Sequence, residues 1–296
     1  MIHSDPSSWP RLASVFHPSD FSEASDVAFA HALRIALATS ARLNMLHVAA
    51  DDGVGMDEFP LVRATLVRWG LLPEGSPPSA VTELGIDVSK VITPDDDPVK
   101  TSLDFLATHP ADLIVLAVHQ YEGRTRWLKE RVGEPIAREA GEMTLFLPHG
   151  VRGFVSPEDD SISLRNILIP IAQKPSGEPA VEAAALMVQS LGVPPGTFHV
   201  LHVGSAADAP STPLASFAPG WKVSRLVTEG EPSEVILRRA EEVGADLIVM
   251  TTEGPHGFLD ALRGSTSERV LRKTPCPVLS LPAEAWSSRM RRFWSG

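Results

Sequence analysis

Glycine and hydroxyl residues are concentrated in one stretch of the second half of the chain. Gly254-Pro-His-Gly257 is followed, after the six residues 258–263, by Gly264-Ser-Thr266. Backbone N–H groups of a glycine-rich loop can surround a phosphate, and the amino end of a following helix adds a favourable dipole. Glycine also lets the backbone approach a ribose where a Cβ would clash. These residue types in this order predict a site for a phosphate-bearing ligand.

The same residues also fit a purely structural role. Gly254 and Gly257 are typical of a tight turn, and Ser265 or Thr266 is typical of the N-cap of a helix. The sequence alone leaves both interpretations open.

The apolar segment before this loop occurs twice in the chain. Asp246–Glu253 (DLIVMTTE) has the counterpart Asp112–His119 (DLIVLAVH) in the first half. There, Gln120 stands in place of the first glycine, and Glu130 and Arg131 stand where the later Gly-Ser pair is expected. Bulky side chains and a negative charge disfavour phosphate, so we expect the first half to be a structural or regulatory partner.

Short apolar runs alternate with segments of helical period throughout both halves, which predicts βαβ units and parallel sheets covered on both faces. The predicted strands of the first half are Leu12–Phe16, Leu43–Val48, Val88–Ile92, Asp112–His119 and Thr144–Leu147, and those of the second half are Ile167–Ile171, Phe198–Val203, Val223–Val227, Asp246–Glu253 and Pro277–Leu281. Right-handed crossovers would make each half doubly wound. The predicted fold class is therefore α/β, with two tandem, Rossmann-like parallel-sheet domains.

The domain boundaries follow from composition. We place the first domain (copy one) at residues 11–149, a linker rich in Gly, Pro, Asp and Ser at 150–163, the second domain (copy two) at 164–283, and a tail at 284–296. The copies differ most between their second and third strands. Copy one has room for an extra helix at Leu61–Leu72, whereas copy two has a Pro/Ala/Ser stretch, Ser205–Gly220, that we interpret as a loop.

Composition narrows the classes of function. A net charge of −11 argues against binding of nucleic acid through phosphate neutralisation. No apolar run is long enough to span a bilayer, and residues 1–6 lack the features of a secretory signal. The single Cys276 fits a reducing cytoplasm, where we expect it as a small buried hydrophobe.

Dedicated catalytic or metal-binding patterns are absent from the sequence. No G-x-S-x-G elbow or Walker A pattern occurs, so an enzyme (a hydrolase or nucleotidyl-transfer enzyme) is a minority hypothesis, compatible at most with slow ATP hydrolysis. The histidines lack zinc spacing, and no metal site is predicted. His47 and His202 recur in matching Leu-His-Val strands, which indicates a packing or hydrogen-bonding role set by the fold.

Taken together, these landmarks resemble the universal stress protein family, as a tandem two-domain member. The resemblance runs from about Leu12 to Pro282, and its most specific part is the ending Gly264–Leu279 (GSTSERVLRKTPCPVL). It implies a nucleotide-binding-type sheet of five parallel strands per domain, of the adenine nucleotide alpha hydrolase type. It also implies that two domains pair through their last strands, here Thr144–Leu147 beside Pro277–Leu281, as an intramolecular pseudo-dimer.

The resemblance further implies a ligand and its residues. The family's nucleotide loop is G-x2-G-x9-G-[ST], and the second spacer here has six residues rather than nine. The family's aspartate after the first strand is kept as Asp20 in copy one, whereas Ala172 takes its place in copy two. The ligand that the resemblance implies for copy two is ATP or a related adenine nucleotide, with Mg²⁺ only alongside it. The candidate binding residues are Val203, Gly254, His256, Gly257, Gly264, Ser265 and Thr266.

The functional hypothesis is a cytoplasmic, nucleotide-responsive stress regulator with an unknown protein partner and the capacity to form a homodimer. The alternative is an adaptor or oligomerisation protein of the same fold that binds no nucleotide. A tail with Trp286, Met290 and Phe293 on one helical face either docks on the protein itself or anchors a partner or an anionic membrane.

Overall fold

The computed structural model describes residues 12–49, 55–118, 132–211, 218–252, 266–284 and 286. Its centre is one ten-stranded sheet with the strand order β3-β2-β1-β4-β5-β10-β9-β6-β7-β8. The strands are β1 Ser14–Pro18, β2 Arg42–Ala49, β3 Asp87–Pro94, β4 Leu113–Val118, β5 Thr144–Pro148, β6 Asn166–Ile171, β7 Thr197–Val203, β8 Lys222–Thr228, β9 Leu247–Thr252 and β10 Val278–Pro282. All ten strands predicted from the sequence are present.

The described helices follow the strands in the expected alternation. They are α1 Glu23–Thr39, α2 Val62–Arg68, α3 Ser79–Glu83, α4 Pro98–Thr108, α5 Gly133–Ala140, α6 Glu178–Ser190, α7 Pro232–Val243 and α8 Thr266–Lys273. Their starts have clear local causes. Ser22 caps α1 by accepting from the N–H of Ser25, and Asp97 caps α4 ahead of a proline at its first position.

The two copies are joined through their last strands. Within each copy all strand pairs are parallel, but β5 and β10 run antiparallel, with Leu145 opposite Leu279 and Phe146 opposite Val278. This is the intramolecular pairing that the resemblance implied. Because β5 and β10 are antiparallel, the carboxyl ends of the strands of copy one and those of copy two lie at opposite edges of the sheet.

The core lies on both faces of the sheet. Val15 and Phe16 are adjacent and fully buried, yet they belong to different apolar clusters, as alternation along a strand requires. The cluster around Val15 includes residues of α1, α2, α3 and α6, and the cluster around Phe16 includes residues of α4, α5, α7 and α8. Each copy is thus a three-layer sandwich, and both clusters continue from one copy into the other.

The region between β2 and β3 is more elaborate than predicted. The helix expected at Leu61–Leu72 is shorter, since α2 ends at Arg68, and a second short helix, α3, follows a Pro77-Pro78 pair. The helical period could not indicate α3, which has only five residues. In copy two the described part of Ser205–Gly220 contains one 3-10 turn, Ala206–Asp208.

The segment between the copies packs on copy one. Val155 and Ile162 form an antiparallel bridge, and the side chains of Phe154 and Val155 are buried. Nε1 of Trp69 donates a hydrogen bond to the carbonyl of Pro157 at 2.9 Å, and Arg34 on α1 lies 3.1 Å from the carboxylate of Asp160. Segment 150–163, expected as a linker, therefore makes specific contacts.

Among the described residues, no helix combines the length and apolar character that a transmembrane span needs.

Candidate functional site

The strand order of copy two reverses at β6, which lies between β7 and β9. The carboxyl ends of these three strands are Ile171, Val203 and Thr252. In open α/β sheets the crevice outside such a reversal is where ligands bind. Helix α8 begins at Thr266 and leads into β10, which is parallel to β9, so its amino end faces the same edge. A helix amino end at this position favours an anion.

The structure brings part of the predicted site to this edge. Ala172 follows the end of β6, Val203 ends the adjacent β7, and Thr266 starts α8. Gly254, His256, Gly257, Gly264 and Ser265 lie outside the described residues, but the two residues that flank their loop, Thr252 and Thr266, are both described.

The register of the strands makes Asp20 and Ala172 equivalent positions. Pro18 pairs with Leu46 in copy one and Pro170 pairs with Leu201 in copy two, so each of the two residues stands two positions beyond the matching proline. Asp20 accepts hydrogen bonds from the N–H and the hydroxyl of Ser22 at 3.0 and 2.6 Å, closing the turn before α1. The methyl of Ala172 has no such capacity.

The turn after β6 is folded back on the strand. Ala172 bridges to Ser176, and Gly177 lies so close to Ile171 that a Cβ there would approach the Ile171 Cγ2 to 2.5 Å. Nε2 of Gln173 donates to the carbonyl of Asp208 at 3.2 Å, which joins this turn to the 3-10 turn after β7. The rim of the crevice is therefore held by contacts between two loops.

His202 ties the second strand to the end of the first. Its Nδ1–H donates to the carbonyl of Ile171 at 3.2 Å, and His47 makes the equivalent bond to the carbonyl of Ser19 at 2.7 Å. The hydrogen-bonding role predicted for both histidines is what the structure shows. Nε2 of His202 is buried without a partner among the described residues, and Gly204 packs against it.

Gly204 is fixed by both its backbone and its surroundings. Its φ of +149° disfavours other residues, and a Cβ there would lie 3.0 Å from Nε2 of His202. Because Gly204 has no side chain, the backbone that follows β7 packs directly against the edge of the His202 imidazole.

The electrostatics at the start of α8 are balanced by ion pairs. The carboxylate of Glu268, in the first turn, is buried and paired with Arg272. Arg269 pairs with Glu231 at 2.8 Å, and Glu231 caps α7 through the N–H of Glu234 at 2.9 Å. Since these carboxylates have cationic partners, they oppose an anion at the helix start less than isolated charges would.

Copy one contains a polar cluster that sequence reasoning did not identify. His17 is fully buried, with Nδ1 donating to the carbonyl of Val115 at 3.0 Å and Nε2 3.4 Å from the hydroxyl of Ser25. That hydroxyl lies 3.1 Å from the hydroxyl of Ser19. Burial lowers the pKa of His17 to about 4, so it is neutral near pH 7. The only sequence signal was the polar run His17–Asp20 at a strand end.

The cluster has no equivalent in copy two, where the same register places Ile169 and Ile171 at the positions of His17 and Ser19. Gln120, Glu130 and Arg131, expected to block phosphate in copy one, lie outside the described residues. In the part of the chain that the structure covers, no group of three or more His, Cys, Asp or Glu side chains is arranged to hold a metal ion.

Comparison with known proteins assigns this architecture. A model of the universal stress protein family matches residues 15–148 and 214–282, which is more than half of the chain and includes the last strands of both copies. The chain belongs to the universal stress protein family. The stretch between the two matched segments, residues 149–213, contains β6, α6 and β7 of this universal stress protein.

Curated relatives share shorter regions. A universal stress protein of Methanocaldococcus jannaschii is 45% identical over 60 residues, which is 20% of this chain and 35% of the relative. One from Thermus aquaticus is 44% identical over 54 residues, 18% of this chain and 39% of the relative. The alignments thus cover well under two thirds of these relatives' own length.

The fold agrees with solved members over almost its whole length. The crystal structure of a universal stress protein from Archaeoglobus fulgidus matches 90% of this chain and 95% of its own, with a TM-score of 0.61 and 21% identity. At that identity the match establishes the shared two-domain fold.

Proposed function

We propose that this universal stress protein binds ATP or a related adenine nucleotide at the crevice of copy two. Binding changes a surface that a protein partner recognises. Mg²⁺ would enter only with the nucleotide. The observation that carries the proposal is that the carboxyl ends of β6, β7 and β9 and the amino end of α8 lie at one edge of the sheet, where the strand order reverses. The loop that connects β9 to α8 in this copy includes the sequence Gly254–Thr266.

Three features of the described residues support a nucleotide. The amino end of α8 offers N–H groups and a positive dipole to phosphate oxygens. Ala172 brings no carboxylate to the crevice rim, so this position does not repel a phosphate. The buried Nε2 of His202 lacks a hydrogen-bond partner, and a donor group of a bound base or ribose that displaced the Gly204 backbone would supply one.

The first test is the nucleotide content of the purified protein. Denaturing fresh protein and identifying released nucleotide by chromatography and mass spectrometry should give adenine nucleotide at near-stoichiometric amount. The Gly264→Glu variant should release none, since the side chain brings bulk and negative charge to the phosphate position. Folding of the variant is checked by circular dichroism.

An ATP titration followed by thermal unfolding is the second test, because a ligand that binds only the native state raises the Tm. Ser265→Ala should reduce this rise, whereas the matched Ser190→Ala, at the far end of α6, should behave as wild type. Absence of released nucleotide together with an unchanged Tm in ATP would refute nucleotide binding.

The adaptor hypothesis is favoured by one observation. Ala172 removes the carboxylate that the family carries at this position, which weakens recognition of a nucleoside. An adaptor predicts that a partner is recovered equally with and without ATP, and equally by Gly264→Glu. A cytoplasmic location and a homodimer formed by two chains are further parts of the proposal, the first resting on the single, buried Cys276.

A further inference from the structure

Copy one has an open groove of about 800 Å³ beside the edge strand β3. It lies under α2 and between α2 and α3, two helices without a counterpart among the described residues of copy two. Ligand sites typically have volumes of about 300–1,000 Å³, apolar walls and a few polar groups. The groove meets these criteria, and it is remote from the carboxyl ends of β1 and β4 where a nucleotide site would be.

The walls of the groove are mainly aliphatic. The apolar side chains that line it are Leu61, Val62, Ala64, Val67, Pro78, Val81 and Val88. Leu61 is 60% exposed, which makes it one of the few large hydrophobic side chains exposed among the described residues. An aliphatic chain of a ligand would cover Leu61 and gain the free energy of burying both apolar surfaces.

Cationic side chains lie at the floor and rim of the groove. Nζ of the half-buried Lys90 donates to the carbonyl of Pro60 at 3.0 Å and stands 5.6 Å from the centre of the Phe59 ring. Partial burial removes water from the ammonium group and so lowers the pKa of Lys90. No carboxylate of a described residue forms an ion pair with Lys90 or Arg63.

The two carboxylates that line the groove do not satisfy these cations. Asp87 is paired with Arg42 at 3.1 Å, and Glu74 is exposed at the α3 side of the groove. A single negative charge on a ligand would therefore be attracted to Lys90 and Arg63. The negatively charged end of the ligand would lie away from Glu74, which would repel it.

We propose that this groove binds an amphipathic monocarboxylate, such as a medium-chain fatty acid, with its carboxylate on Lys90 and Arg63 and its aliphatic chain along Leu61, Val67 and Val81. The site is independent of the nucleotide crevice of copy two. It gives copy one a ligand of its own.

Isothermal titration of the full chain with sodium decanoate, below its micelle concentration, tests this site. Wild type should bind one decanoate, and Lys90→Met should raise the Kd by about tenfold or more, because a charge-assisted hydrogen bond is lost while the aliphatic stem is kept. Lys100→Met, which removes an exposed lysine of α4 outside the groove, should bind as wild type. The neutral analogue decanol should bind more weakly than decanoate. Its affinity should be the same for wild type, Lys90→Met and Lys100→Met.

Leu61→Asp provides a second variant, because an exposed position tolerates the change without loss of folding, which circular dichroism verifies. It should abolish decanoate binding. Equal decanoate affinity in wild type, Lys90→Met and Leu61→Asp would overturn the proposal. So would a concentration-dependent dimer that Leu61→Asp dissociates and that binds no decanoate, since the groove would then be a contact between copies of the chain.

Discussion

Nε2 of His31, in the middle of α1, accepts a hydrogen bond of 3.0 Å from the backbone N–H of Val155, 124 residues further along the chain. The imidazole donates from Nδ1 to the carbonyl of Val27 at 2.8 Å, so both ring nitrogens are satisfied with no water needed. Phe154 packs edge-on against the same ring at 4.7 Å. One buried histidine thus fixes the segment between the copies to copy one.

Acid should weaken the fold through His31 and His17. Burial lowers the pKa of each to about 4 from 6.5, so between these values the unfolded chain binds more protons than the native one. Their contribution is fully present above pH 6.5 and is lost as the pH falls towards 4, by about 3 kcal/mol per histidine. Urea unfolding across this range measures it.

In the same series, His31→Gln should show a shallower loss of stability with acid, since one of the two titrating groups is gone. His109→Gln, which changes an exposed histidine, should keep the wild-type slope. A His31→Gln profile parallel to wild type would contradict the assignment.

Gly153→Ala should destabilise the protein. A Cβ at this position would overlap the His31 imidazole, so the connecting segment or the ring must move. We expect a loss of about 1–3 kcal/mol in the free energy of unfolding. At Gly133, by contrast, a Cβ would make an ordinary contact at 3.5 Å from the carbonyl of Ala117, so Gly133→Ala should be neutral or slightly stabilising. Calorimetry that found both variants alike would refute the close packing.

Trp286→Ala should cost about 3–5 kcal/mol of stability, as for other buried tryptophans. The ring is 4% exposed, and Nε1 donates to a Glu182 carboxylate oxygen at 2.7 Å. Of the two alternatives for the tail, the contact supports docking on the protein itself for this residue; Met290 and Phe293 lie outside the described residues. Thermal unfolding gives the measurement, and a wild-type Tm would show that the contact is dispensable.

The stability of Glu182→Gln as a function of pH tests the contact between Trp286 and Glu182. Burial raises the pKa of Glu182, so its ionised form is disfavoured in the native state and its contribution to stability falls as the pH rises through that raised pKa. The amide keeps an acceptor for the Trp286 N–H but does not titrate. We therefore expect Glu182→Gln to be at least as stable as wild type near neutral pH, with Glu182→Ala less stable than both.

Cys276 should resist alkylation in the native protein. Its side chain is buried, and desolvation raises the pKa of the thiol to about 12, so the reactive thiolate is scarce near neutral pH. Thiol titration should detect no rapid reaction before denaturation and one thiol per chain after it. Native reactivity equal to that of the denatured chain would exclude the buried environment.

The strands could be located because most are buried on both faces and therefore read as short apolar runs, and most of the helices because burial repeats about every four residues. The Leu-His-Val pair was informative for the same reason, since His47 and His202 occupy one position of a repeated fold. Helix α3 was missed because five residues are too few to display a helical period.

Contacts between distant segments could not be predicted in this way. Nothing in the composition of 150–163 distinguishes a linker from a segment whose Val155 N–H meets His31, because that pairing depends on the folded position of α1. His17, Ser19 and Ser25 were overlooked since their relation depends on how the β1 turn enters α1. In the candidate site, strand ends could be assigned from sequence, whereas the Gln173–Asp208 contact that braces the rim could not.

The antiparallel junction of β5 with β10 has an evolutionary consequence. In a symmetric dimer of separate chains every substitution occurs in both subunits at once, so a site cannot be lost on one side and kept on the other. Here both partners are encoded in one polypeptide, and each half accepts mutations alone. Copy one could gain α2, α3 and their groove while copy two kept its glycines, and the partnership survives any dilution because the halves cannot diffuse apart.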